Sequence, residues 1–120
     1  MRRTAYDDID WHVPPEDPAD LDLSRVAAPD EPGRKFLVEG ESGFYVQTVR
    51  LPAGFEAPVH HHSHPEVFLV LEGSCVFNGE PMRPYDVAVV DADERYGFTA
   101  GDEGVQFLVT RQGKATFAAG

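Results

Sequence analysis

The chain has 120 residues, enough for one domain and one core. Ten basic residues against 21 acidic ones leave a formal charge of −11, which disfavours phosphate backbones and anionic lipid heads as partners. The longest apolar run, Val67 to Leu71, is far short of a membrane span, and no apolar stretch follows Arg2 and Arg3 as a secretory signal would require. A cytoplasmic location is therefore expected, with neither nucleic acid nor membrane as partner. The single cysteine, Cys75, permits no intrachain disulfide and no thiolate cluster, and is read as a small buried apolar residue.

Residues 1–35 are read as an extended, proline-rich N-terminal arm. Pro14, Pro15, Pro18, Pro29 and Pro32 break any long helix by removing donors and clashing with preceding turns. Within the arm, Ile9 to Val13 alternates like a short strand, and Leu21-Asp22-Leu23 adds a little apolar surface. Trp11 carries too much apolar area to be left in solvent, so the arm is expected to lie along the domain or a partner subunit.

Residues 36–120 read as all-β. The expected strands are Phe36–Val38, Phe44–Leu51, Val59–His62, Glu66–Glu72, Ser74–Phe77, Asp86–Val90, Tyr96–Thr99, Val105–Arg111 and Ala115–Ala118, rich in Val, Phe, Tyr and Thr. Turn signals separate them, among them Ser63-His64-Pro65, Asn78-Gly79 and Thr99-Ala100-Gly101; Asn-Gly suits a hairpin with positive φ at both central residues. No stretch shows sustained helical spacing. Many short strands with frequent turns predict a sandwich or barrel.

Four of the five histidines, His60, His61, His62 and His64, fall within five positions, and Glu66 follows. Side chains alternate along a strand, so His60 and His62 share a face, about 6.6 Å apart, and His61 takes the other. His64 would lie about 13 Å from His60 on a continuing strand, too far for the same ion. Ser63-His64-Pro65 is turn chemistry, and a bend there brings Glu66 back beside His60 and His62. Two imidazoles and one carboxylate on one face suit a divalent transition metal: iron, manganese, zinc or nickel. Adjacent histidines also occur as exposed tracts, and His61 and His64 are assigned to that class.

Gly54, His60, His62, Glu66 and Gly73, at these spacings, resemble the first sequence motif of the cupin superfamily. The resemblance implies a double-stranded β-helix, a jelly-roll barrel whose mouth holds a metal on two histidines, a glutamate and a later histidine. The second motif departs from the pattern. Aligning Tyr85-Asp86 with the usual Gly-Asp puts Asp91 and Asp93 where proline and glycine are expected, and Tyr96 where the fourth histidine stands. No histidine follows His64.

Tyr96 is carried as the candidate catalytic residue, with three roles open. It can donate a hydrogen bond or act as general acid or base, ligate the metal as a tyrosinate, or fill the barrel as a ring. Parity from Glu66 and Tyr96 turns Phe68, Val70 and Phe98 inward, and Phe68 and Phe98 are the candidate pocket residues. Gln47 and Arg50 lie on a strand whose parity is left open. The expected protein is a small cupin binding a divalent transition metal and a small organic molecule, with dioxygenase, isomerase or lyase chemistry if an enzyme. The alternative is a non-catalytic ligand-binding or sensor barrel, metal-free or not. Self-association as a homodimer is expected from the arm and from exposed strand edges.

Overall fold

The computed structural model describes residues 1–13, 26–114 and 118–119. Eight strands follow in order: β1 Gly33–Glu39, β2 Tyr45–Leu51, β3 Glu56–His61, β4 Glu66–Phe77, β5 Glu80–Met82, β6 Val87–Val90, β7 Tyr96–Arg111 and β8 Ala118–Ala119. All pairings are antiparallel, and one path runs β1-β2-β7-β3-β8 while β4 pairs with β5, β6 and β7. The result is the expected all-β jelly roll, a double-stranded β-helix. No described helix is long and apolar enough to cross a membrane.

Two long strands replace four shorter expected ones. Glu66–Glu72 and Ser74–Phe77 are a single β4, and Tyr96–Thr99 and Val105–Arg111 are a single β7. The glycines at the breaks between these runs are bulges. Gly73 (φ +72°) and Gly104 (φ +79°) sit where the β4–β7 ladder slips register, and the strands bend there without ending. This lets each strand serve two walls of the barrel. Thr99-Ala100-Gly101 lies inside β7 and is not a turn. Asn78 (φ +46°) and Gly79 (φ +81°) do form the expected hairpin turn, here joining β4 to β5, a strand that was not anticipated.

The first strand starts at Gly33, ahead of the expected Phe36. Ile9–Val13 forms no strand of its own; His12 makes isolated bridges to Val26 and Arg34. Leu21-Asp22-Leu23 and most of Ala115–Ala118 lie outside the described residues.

The register decides the core. Val105, Phe107 and Val109 of β7 face inward with Leu51, Val49 and Gln47 of β2, and with Val70 and Phe68 of β4. Phe77 stacks on Tyr96 (5.2 Å, 10°) and on Phe98 (5.6 Å, 3°), while Phe68 meets Phe107 edge-on at 5.5 Å. Truncating a fully buried ring such as Phe107 costs about 3–5 kcal/mol, so this aromatic stack anchors the barrel.

The opposite face of β1, β2 and β7 is covered by the start of the arm. The Tyr6 hydroxyl meets Thr48 Oγ1 (3.2 Å) and accepts from Gln106 Nε2 (3.0 Å). Lys35 Nζ donates to the Tyr6 carbonyl (3.1 Å) and lies 3.8 Å from the Tyr6 ring centre. Arg50 stacks over Trp11 at 4.4 Å. Trp11 thus lies along its own domain, with two cations on ring faces. The open question of parity resolves here: Gln47 points inward and Arg50 outward.

Candidate functional site

His60 and His62 stand at one end of the barrel interior, each 8% exposed, with Glu66 at 1% and Tyr96 at 2%. A bulge in β3 between Ala57 and His60 sets this up. Pro58 occupies the bulge, where its missing donor costs the ladder nothing, and its carbonyl meets His60 Nδ1 at 2.7 Å. That contact assigns the proton to Nδ1 and the lone pair to Nε2. His62 lies just past β3, where its carbonyl accepts from Asp93 N (2.7 Å) and ties the bend to the β6–β7 loop. Pro65 ends the bend, and Glu66 opens β4 on the inner face.

The two imidazole centres are 4.9 Å apart, and Tyr96 lies 4.4 Å from His60 and 5.9 Å from His62. The Tyr96 hydroxyl donates to Glu66 Oε1 (3.1 Å) and is 3.0 Å from His62 Nε2, which is itself 3.3 Å from the same carboxylate oxygen. Arg111 Nε holds the other oxygen, Oε2, at 2.6 Å. Glu66 therefore has one oxygen anchored on a guanidinium and one facing the histidines. Among the described residues, no three histidine, cysteine or acidic side chains converge on one point at ligand spacing. The Tyr96 hydroxyl occupies the space between them.

Charge follows from this packing. Burial, reinforced by Arg111, His60, Arg34 and His61, pushes His62 down to about 3, so its ring is neutral. Burial and the Glu66 carboxylate hold the Tyr96 phenol well above its ordinary value, so it is a neutral donor and not a tyrosinate. A bound metal's charge would act against that shift.

His61 and His64 stay apart from this group. His61 belongs to the strand segment paired with Ala118, and the His64 ring lies against Gly113 with Nδ1 3.0 Å from Ser63 Oγ. Phe68 is buried beside Tyr96 at 5.5 Å, whereas Phe98 is half-buried and packs on Phe77 and Phe107. Sequence reasoning missed Arg111 and Arg34. For Arg111 the signal was present, since Val105, Phe107, Val109 and Arg111 alternate on one face. Arg34 precedes the first expected strand, so it had no parity to read.

The departures in the second motif keep the backbone that glycine would favour. Tyr85 (φ +72°) and Asp93 (φ +62°) both adopt the left-handed region, at the two positions where the resemblance expects glycine. Holding a non-glycine residue there costs about 1–2 kcal/mol each. This supports the alignment that sets Tyr96 at the fourth-ligand position.

Comparison with solved structures agrees with this architecture. The chain is similar to the polyketide cyclase RemF from Streptomyces resistomycificus at 21% identity, covering 92% of this chain and 78% of that one, with a TM-score of 0.69. An RmlC-like cupin from Shewanella frigidimarina superposes at 0.70 with 15% identity, over 95% and 93% of the two chains. The cupin domain of Schizosaccharomyces pombe Cnp3 shares 25% identity at a TM-score of 0.59, over 80% and 72%. No protein-family model and no curated protein sequence matches the chain. The fold and its end-on polar cluster are those of a small cupin barrel. The chain is a member of the cupin superfamily.

Proposed function

We propose that this cupin holds a divalent transition metal on His60, His62 and Glu66 and takes a small organic molecule into the barrel beside it. The observation that carries the reading is the Pro58 carbonyl on His60 Nδ1, which commits the Nε2 lone pair to the side shared with His62. The donor set fits iron, manganese, zinc or nickel in chemistry: two imidazoles and a carboxylate. Arg111 has the role of orienting the carboxylate, leaving Oε1 as the donor. Taking the ion requires the Tyr96 hydroxyl to withdraw from Glu66 Oε1.

A metal bound there would supply Lewis acidity and, for a redox-active ion, oxidative chemistry. The chain's own residues do the rest. Tyr96, a neutral phenol, offers a hydrogen bond or proton to an oxygen of the bound molecule once released from Glu66. Phe68 and the ring stack behind it exclude water from that end of the barrel. The likeness to a polyketide cyclase supports an organic substrate, and the donor set suits dioxygenase-type, isomerase or lyase chemistry.

The second reading is a metal-free binding barrel, favoured by the closed hydrogen-bond chain His62–Tyr96–Glu66–Arg111. Elemental analysis of protein purified without a histidine tag separates the two. Stoichiometric metal in the wild type and in His61→Ala, with loss in His60→Ala, is the expected result. Equal metal content in the two variants overturns the site, and none in the wild type favours the metal-free barrel. We further expect a homodimer in a cytoplasmic setting, with neither nucleic acid nor membrane as partner.

A further inference from the structure

Three buried polar atoms lack a hydrogen-bond partner on one continuous surface: His12 Nδ1, Arg34 Nε and Gln47 Nε2. The strand register puts them on the inner face. Gln47 opposes Val109, and Arg34 opposes Val49, which in turn opposes the fully buried Phe107. His12 bridges to Arg34 through both backbone hydrogen bonds and so shares its face. Gln47 is 3% exposed and Arg111, one inward position further along β7 than Gln47's partner Val109, is 8% exposed. Proteins rarely leave a buried amide or guanidinium unpaired, because each such group costs about 1–3 kcal/mol or more.

The charges point the same way. Half-buried Arg34 and buried Arg111 bring two guanidinium groups to this interior, against one buried carboxylate among the described residues, Glu66. Burial, then repulsion from Arg111, lowers Arg34 only to about 10, so it is charged at neutral pH. Glu39 at the exposed end of β1 feels both arginines but forms no ion pair with either among the described residues. Among the described residues the interior is therefore short of one negative charge, although the chain as a whole carries an excess of eleven.

We propose that Arg34, Gln47 and His12, with Arg111 beside them, form an anion-binding subsite, and that the organic molecule taken by the barrel is a carboxylate or enolate on an apolar body. A guanidinium presents parallel donors that match two carboxylate oxygens, and the amide of Gln47 adds a neutral donor beside it. The rings of Phe68 and Tyr96 next to the site suit the apolar part. The inference rests on the reading that the interior accepts a small organic molecule, and it is independent of the metal.

The test is an NMR titration of the full chain with acetate and benzoate, each against its uncharged amide, acetamide and benzamide. The Arg34 Nε–H and Gln47 side-chain amide resonances are expected to shift with an acid and not with its amide. Arg34→Gln should weaken binding of that acid at least tenfold while zinc stoichiometry by calorimetry stays at the wild-type value. Gln47→Met, which preserves volume and adds no charge, should weaken it as well and guards against misfolding of the first variant. Equal binding of acid and amide overturns the anion subsite but leaves an organic-ligand barrel standing. No shift of any interior resonance with all four probes overturns both.

Discussion

Tyr96 is the residue on which the chemistry of the site turns. Its hydroxyl bonds Glu66 Oε1 and faces His62 Nε2, so it is more than a ring filling space, and burial keeps it protonated. If it stands where a fourth imidazole would bind, Tyr96→His should tighten zinc binding at least about tenfold, or roughly 1.4 kcal/mol, by calorimetry. Tyr96→Phe keeps the stack on Phe77 and deletes only the hydroxyl. It should leave the metal bound, and it frees Glu66 Oε1 from a competing donor. Loss of metal in Tyr96→Phe would instead mark the phenol as a ligand. At this scale the sequence was legible where two spacings agreed. Alternation placed the His60 and His62 rings side by side, and the Ser63-His64-Pro65 bend returned Glu66 to His62. Arg34 and His12 were not, because their positions depend on a register between segments distant in the chain, whereas Arg111 follows from the alternation along β7.

At the scale of elements, the glycines explain both the successes and the errors. Apolar alternation was readable in every run of β4 and β7, yet β4 was divided at Gly73, and β7 after Thr99, where Thr99-Ala100-Gly101 was read as a turn. A bulge and a turn share the same local signal, positive φ at glycine, and differ only in whether a partner strand continues alongside. Gly73 makes the sharper case. A Cβ there would collide with the Gly104 carbonyl as well as strain the backbone at φ +72°. Gly73→Ala should cost about 2 kcal/mol or more in urea unfolding, while Gly79→Ala, with open space around it, should cost only the backbone strain of about 1–2 kcal/mol. Equal losses in the two variants would show that the β4–β7 crossing does not depend on close backbone approach.

The whole molecule presents an acidic chain, two arginines on the inner face and an exposed strip of valines. Val67, Val87 and Val89, on the outer face of β4 and β6, are 40%, 57% and 66% exposed, with Phe44 at 58% nearby. Among the described strands β6 pairs only with β4, so its second edge is open. An apolar edge strand of this kind is self-complementary under two-fold symmetry, and a second copy is the occupant we expect. Light scattering at micromolar concentration should report a dimer, and Val89→Lys should shift it to monomer with the fold intact. A wild-type monomer contradicts this. Arm packing was legible from Trp11 alone, whereas the choice of its own domain over a partner became visible only with Lys35 and Arg50 on the outer face. The central claim remains the metal, and anomalous diffraction at the metal's absorption edge, on crystals of tag-free protein, tests it most directly. A single peak within bonding distance of His60 Nε2, His62 and Glu66 Oε1 is the predicted result. No peak inside the barrel, or one held by His61 or His64, would contradict it.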